Sequence, residues 1–336
     1  MNLAIIGTGK IANDALYAMQ PVDGLHRVAL FARPHSKEKG EALAARYGVG
    51  TVYTDYDELL CDERIDTVYI GIVNTAHFPF ALAALQAGKH VILEKPFTVT
   101  LQEALRLQEE TKARGVFLLE AINILHLEVF GVLKEQLPAI GPIRSVRLNY
   151  SQYSSRYEAY KRGEIQPVFD PTLDGGSLKD LNVYNLHYCA GLFGEPLDAV
   201  YYPNRGHNGV DTSGTAVLTY DGFSACCTAA KDSDSPSYVV IQGENGWMQI
   251  EDKPNVAENL LVSVARGHSE QKDKAGVPMR TYEERRFSYP IEHHRLTCEF
   301  RAFEEIIRMG DQERAASLLD ESITVMRILD RIAQHG

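Results

Sequence analysis

The chain has no apolar run close to the roughly 18–20 residues that a membrane-spanning helix requires, although 45% of its 336 residues are hydrophobic. That fraction is enough for a full core, and the length favours two domains. Cysteine is sparse. The five, Cys61, Cys189, Cys226, Cys227 and Cys298, are scattered and odd in number, with no CxxC and no Cys/His metal spacing. This excludes a disulfide framework and a structural zinc site and predicts reduced, buried thiols in a cytoplasmic protein. Basic clusters are missing as well. With 34 Lys+Arg against 45 Asp+Glu, the formal net charge of −11 argues against a nucleic-acid surface. It favours solubility and carries little information on fold. There is no internal repeat and no low-complexity tract. No secretory leader is expected, because Leu3-Ala4-Ile5-Ile6 runs straight into Gly7 as a working strand.

What the chain does have is organised around His90-Val91-Ile92-Leu93-Glu94-Lys95-Pro96-Phe97. Three apolar residues between Gly88 and Pro96 read as a short strand buried in a parallel sheet. The strand ends in an acid, a base and a proline. In open α/β sheets, ligands bind at the carboxyl ends of strands. A solvated strand end with a turn-forming proline would read the same.

The first strand leads into Gly7-Thr8-Gly9-Lys10-Ile11-Ala12 and a helix through Met19. This is G-x-G-x-x-A at a strand-to-helix turn, where helix amides and dipole favour a pyrophosphate. The second strand, 27–32, should end at the adenosine ribose, where NAD-binding chains place an acid. Here Arg33 and Ser36 stand in that region, with no acid before Glu38. That substitution favours a 2′-phosphate, hence NADP over NAD, unless Arg33 merely stacks on adenine or sits in solvent.

Helices at 36–47, 77–87 and 101–114 alternate with strands at 65–73, 90–93 and 116–119. Residues 1–121 therefore form an N-terminal Rossmann domain, a doubly wound parallel sheet. Residues 122–336 form a C-terminal α+β domain with a mostly antiparallel open sheet. Its expected elements are a helix at 123–135, a strand at 143–153, a polar stretch at 161–176 and a helix at 177–192. Strands follow at 197–203, 214–220, 223–230, 237–242, 246–251, 259–265 and 280–287, then helices at 294–309 and 313–333. The Gly243–Gly246 stretch signals a hairpin, and the polar run 267–276 reads as a loop.

The chain resembles the Gfo/Idh/MocA oxidoreductases, the family of glucose–fructose oxidoreductase, inositol dehydrogenase and dihydrodiol dehydrogenase. The carriers are the G-x-G-x-x-A run, Asn74 with His77, Glu94-Lys95-Pro96, and Gly175-Gly176-Ser177-Leu178-Lys179-Asp180-Leu181-Asn182-Val183-Tyr184. The resemblance implies an NAD(P)-dependent oxidoreductase that moves a hydride between nicotinamide and a secondary alcohol or ketone of a sugar, polyol or cyclic diol. It implies that Lys95 polarises the reacting oxygen, that Tyr184 exchanges the hydroxyl proton and that Asp180 orients both. A phenol is a poor base near neutrality unless a cation such as Lys95 favours its ionised form. It places Asn74 and His77 near the nicotinamide ribose and Glu94 and Lys95 at the cofactor.

By its residues alone, Tyr184 reads first as a half-buried core tyrosine, as most helical tyrosines are. His187, one turn on, is either a second base or structural. Tyr150, Gln152, Tyr153, Arg156 and Lys161 could line a sugar pocket or form an exposed sheet edge. Asn182 stands for a usual glycine, Leu125 for a frequent arginine and Val73 for a frequent proline, which leaves the substrate open. His126 and His293-His294 show no ligand spacing with a carboxylate, so no metal is expected. A homo-oligomer, dimer or larger, is expected through the outer face of the second sheet. Two rivals share the dinucleotide fold: a redox-assisted glycosidase that keeps its NAD, and a regulatory protein that binds NAD(P) without turnover.

Overall fold

The computed structural model describes residues 1–335; Gly336, the last residue of the expected second domain, lies outside the described residues. The chain forms two compact units. One comprises Met1–Asn123, Asp170–Gly175 and Glu292–Asp330; the other comprises Ile124–Phe169, Gly176–Ile291 and the chain end from Arg331.

In the first unit, β1 (Asn2–Ile6) runs into α1 (Lys10–Ala18), then β2 (His26–Phe31) into α2 (Lys37–Tyr47). A short β3 (Thr51–Tyr53) and α3 (Tyr56–Leu60) come next, neither visible in the hydrophobic pattern. Asp55 starts α3 by accepting from the Asp57 and Glu58 amides at 2.9 and 3.1 Å, the usual N-cap arrangement. β4 (Thr67–Ile70), α4 (His77–Gln86), β5 (His90–Glu94), α5 (Leu101–Arg114) and β6 (Leu118–Ala121) complete the alternation. All six strands are parallel, in the order β3-β2-β1-β4-β5-β6. The order reverses between β1 and β4, which is where doubly wound sheets open a crevice at their carboxyl ends.

The second unit holds α6 (Glu128–Gln136), β7 (Ile143–Ser151), α7 (Tyr157–Lys161) and α8 (Val183–Phe193). Its remaining strands are β8 (Asp198–Arg205), β9 (Asp211–Tyr220), β10 (Phe223–Ala230), β11 (Tyr238–Gly243), β12 (Gly246–Ile250), β13 (Asn259–Lys272) and β14 (Pro278–Ser288). They form one sheet in the order β14-β13-β12-β11-β7-β10-β9-β8, antiparallel except for the parallel β7–β10 pair. Alternation fixes its two faces. Val146, Leu148, Ala225 and Cys227 are buried, and α8 packs on that side, with Cys189 Sγ 3.6 Å from Cys227 Sγ. The opposite side presents Arg147, Val217, Cys226, Val240, Trp247 and Leu261, none of them fully buried.

Three expectations change. The polar run 267–276 is not a loop throughout: β13 continues to Lys272 and pairs with β14, leaving only the tip as a turn. Asp273 closes that tip, accepting from the Ala275 and Val277 amides at 2.8 and 2.9 Å. Backbone pairing, rather than an apolar face, holds these residues extended. The closing helices α9 (Thr297–Met309) and α10 (Gln312–His335) fall within the expected second domain. Residues 292–330 instead belong to the first unit, because Phe300, Phe303 and Ile306 join the core that contains Leu3, Ile5 and Leu16. Of the thiols, only Cys189 and Cys227 are buried; Cys61 is exposed.

Candidate active site

The carboxyl end of β1 passes through Gly7, whose φ of +122° is in the region that favours glycine. A Cβ there would lie 2.5 Å from the Gly71 carbonyl oxygen. Gly9 is the N-cap of α1, with no side chain capping the first amides and no acid in the first turn. A Cβ on Gly9 would meet nothing within 4 Å. Open amides at a helix N-terminus form an anion site, so the structure fits a dinucleotide pyrophosphate here. Thr8 and Ile11 are partly exposed along this turn, and Lys10 reaches back to Asp14 at 2.5 Å. Arg33 is exposed just beyond β2, and Ser36 Oγ donates to its carbonyl at 3.1 Å. Asn74 donates to the Asp174 carbonyl at 3.0 Å.

His77 is placed otherwise than expected. It is 1% exposed, with Nδ1 3.0 Å from the Pro96 carbonyl and Nε2 3.3 Å from that of Ile72. Burial lowers its pKa, keeping the ring neutral. It braces the backbone after β5 and is enclosed too completely to meet a ribose. Glu94 is also internal. Tyr69 donates its hydroxyl to Oε1 at 2.7 Å, and the Lys95 amide donates to Oε2 at 3.2 Å. Burial raises the Glu94 pKa. Lys95 alone of the trio Glu94-Lys95-Pro96 is partly exposed. Beside them α9 brings Glu299, fully buried, whose two carboxyl oxygens have no hydrogen-bond partner among the described residues. Burial and then the neighbouring Glu94 charge push its pKa well up. Nothing in the sequence marks this second acid.

In the second unit the signature's Gly176 has φ +136°, and a Cβ there would come within 2.0 Å of Asp211 Oδ1. Asp211 holds the start of the following turn, accepting from the Leu178 amide and the Tyr201 hydroxyl, each at 2.7 Å. Residues Leu178–Asn182 wind as a π turn before α8, a feature that recurs at functional sites. The expected helix at 177–192 is therefore not a continuous α-helix, and Asp180 and Tyr184 do not share its regular four-residue spacing. Asn182, in the place of a glycine, pins the turn to β10. Its Nδ2 donates to the Cys227 carbonyl at 2.8 Å, and Asn185 donates to the Thr228 carbonyl at 2.9 Å.

Asp180 forms an ion pair with Lys231, just past β10. Tyr184 is buried in the first turn of α8, its ring centroid 5.7 Å from that of Tyr150. His187 is fully buried. The polar, aromatic stretch disperses. Lys161 pairs with Glu158 at 2.6 Å, Tyr153 donates to the same carboxylate, and Arg156 is exposed. Gln152 accepts from Lys253 at 3.0 Å. Sequence reasoning missed Lys231, Asp211 and Glu299, none of which lies in a motif. A cavity of about 500 Å³, lined by Asn149, Ser151, Asn204, Thr215, Thr228 and Ser235 among others, opens on the sheet face opposite Tyr150 and Tyr184. It belongs to no part of this constellation. Among the described residues, no group of three His, Cys, Asp or Glu could hold a metal, and no helix is long and apolar enough to cross a membrane.

The family profile described as "Oxidoreductase family, NAD-binding Rossmann fold" matches residues 1–121, and the GFO/IDH/MocA C-terminal domain matches 137–249. The chain is 33% identical to scyllo-inositol 2-dehydrogenase (NADP(+)) IolU of Bacillus subtilis, over 90% of this chain and 92% of that one. The chain belongs to the Gfo/Idh/MocA family. It is an NAD(P)-dependent oxidoreductase. Trans-1,2-dihydrobenzene-1,2-diol dehydrogenase of Xenopus tropicalis is 26% identical over 95% of this chain and 96% of its own length. D-xylose 1-dehydrogenase (NADP(+)) 2 of Haloferax volcanii is 28% identical over 100% and 97%. The fold agrees with a 3-ketoreductase from Actinomadura kijaniata, with TM-score 0.82, 22% identity and coverage of 100% and 97%. The π turn and Asp180 of this Gfo/Idh/MocA protein lie outside the Rossmann match, within the C-terminal one.

Proposed function

We propose that this oxidoreductase interconverts a secondary alcohol and its ketone on a sugar, a cyclitol or a cyclic diol, with NADP preferred over NAD. Bound nicotinamide would supply or accept the hydride. Tyr184 takes the hydroxyl proton during oxidation and returns it during reduction. Lys95 stabilises the negative charge that develops on the carbinol oxygen. Asp180, as a carboxylate, accepts from substrate hydroxyls and orients them. Gly7, Thr8, Gly9, Lys10 and Ile11 receive the pyrophosphate, Arg33 and Ser36 the adenosine 2′-phosphate, and Asn74 and Glu94 support the nicotinamide side. Residues 1–121 thus serve the dinucleotide, and the C-terminal α+β part serves substrate and self-association.

The observation that carries the cofactor preference is the exposed Arg33 with no acid at the end of β2. The observation that carries the substrate class is similarity to relatives named for scyllo-inositol, D-xylose and a dihydrodiol. The test is an absorbance screen for reduced nicotinamide, offering scyllo-inositol, D-xylose and a trans-dihydrodiol with each cofactor. Turnover with NADP, weakened about tenfold or more in cofactor affinity by Arg33→Ala, is expected, since hydrogen bonds to charged groups contribute about 1.5–3 kcal/mol. Firm cofactor binding without turnover on any of the three would refute the substrate reading.

The half-exposed sheet face carrying Val217, Val240, Trp247 and Leu261 suits a second copy of the chain. A dimer or larger assembly is expected, and a monomer by light scattering at micromolar concentration would count against it. A cytoplasmic location suits an exposed Cys61 and a close Cys189–Cys227 pair of free thiols. Five free thiols after alkylation of freshly isolated protein would agree with it.

A further inference from the structure

Lys231 lies where β10 ends, and its backbone is tied on both sides. Its N–H donates to the Thr212 carbonyl at 2.8 Å, and its own carbonyl accepts from the Ser154 amide at 2.9 Å. The side chain turns inward. It is 4% exposed, against 36% for the Asp180 side chain with which it pairs. The ammonium lies 5.3 Å from the centroid of the Phe169 ring, which is itself fully buried.

A buried ammonium loses several kcal/mol of hydration. An apolar side chain of similar volume would fill the same space at no such cost, so packing alone gives no reason for a lysine here. The ring face attracts the cation, and the more exposed member of the pair is Asp180. The π turn that carries Asp180 is separately pinned by Asp211 and Asn182. Backbone and side chain of this acid are therefore fixed by different partners.

We propose that Lys231 is a positioning residue for the reaction. It holds Asp180 in one rotamer as a carboxylate, an acceptor without a proton to donate, so that Asp180 meets a substrate hydroxyl as acceptor only. This rests on the assignment of Asp180 to catalysis made above. Misplacement of an orienting group by about 1 Å costs on the order of 10²-fold in rate.

The test is a double-mutant cycle on Lys231→Met and Asp180→Asn, using whichever of scyllo-inositol, D-xylose and the trans-dihydrodiol turns over fastest with NADP. Each single variant is expected to lose about 10²-fold in kcat, with NADP affinity kept within a few-fold as the check on folding. The double variant is expected to be no slower than the slower single one, because both act through one carboxylate. Lys231→Arg should recover at least part of the loss, which a purely steric role would not predict. If Lys231→Met does not fold, Lys231→Gln carries the same comparison. Losses that multiply, or a loss of only a few-fold at Lys231 beside a large one at Asp180, overturn the inference and leave the assignment of Asp180 standing. A neutral Asp180→Asn, or no turnover by the unaltered protein, removes that assignment and the inference with it.

Discussion

The two units each bury charge next to a candidate site residue, and they do it in opposite ways. In the first, acids are buried: Glu94 at the end of β5 and Glu299 on α9, with Tyr69 donating to the former. In the second, the cation Lys231 is buried, and its acid partner Asp180 is the exposed member. The two solutions have different physical consequences. A buried acid relieves its burial by keeping its proton, and both Glu94 and Glu299 have raised pKa values with burial as the leading cause, against the lowering charge of Arg295. A lysine beside a carboxylate relieves its burial by pairing. The first arrangement makes stability depend on pH, and the second makes it depend on keeping both partners.

The largest effect should come from the two residues assigned to the chemistry beside these arrangements. Lys95→Met removes the cation assigned to oxyanion stabilisation, and Tyr184→Phe removes the proton acceptor. Each should lower kcat by about 10²–10⁴-fold with NADP affinity kept, as read by steady-state kinetics and calorimetric titration. A few-fold loss in Tyr184→Phe, with normal folding, would transfer the base role elsewhere.

A sharper comparison sets one acid of each unit against the other. Asp180→Ala leaves Lys231 buried without its carboxylate and should cost about 1–3 kcal/mol, below the 3–5 of a fully buried pair because Asp180 is partly exposed. Glu299→Gln should act in the other direction once the pH exceeds the unfolded carboxyl's value. The Glu299 pKa is raised in the folded protein, so its contribution is complete below about pH 4.3 and is lost as pH rises toward the folded value. Between those limits the unaltered protein should lose up to about 1.4 kcal/mol per pH unit from this group, and Glu299→Gln should flatten that slope. Denaturant titrations from pH 4 to pH 8 read both effects. Equal slopes in the two proteins would mean that Glu299 is ionised in the fold.

Much of the first unit was legible because its signals are local. A strand, a G-x-G-x-x-A turn and a helix occupy consecutive residues, and the hydrophobic period reports each in turn. The Gfo/Idh/MocA signatures likewise sit in unbroken stretches, which is why Lys95, Asp180 and Tyr184 could be named in advance as candidates. Short β3 and α3 escaped because three to five residues are too few for a period. The continuation of β13 to Lys272 escaped because its ladder partners β14 across polar residues on both faces, leaving no pattern to read.

The sequence by itself determined the class of fold, the dinucleotide turn and the family, since each depends on residues adjacent in the chain. Tertiary structure alone decided which groups surround the chemistry. It enclosed His77 between the carbonyls of Ile72 and Pro96, brought Glu299 to Glu94 from some two hundred positions away, and paired Lys231 with Asp180. It also wound Leu178–Asn182 as a π turn through bonds to β9 and β10. Burial, charge partners and hydrogen bonds of this kind are properties of where the chain returns, and no local pattern encodes the return.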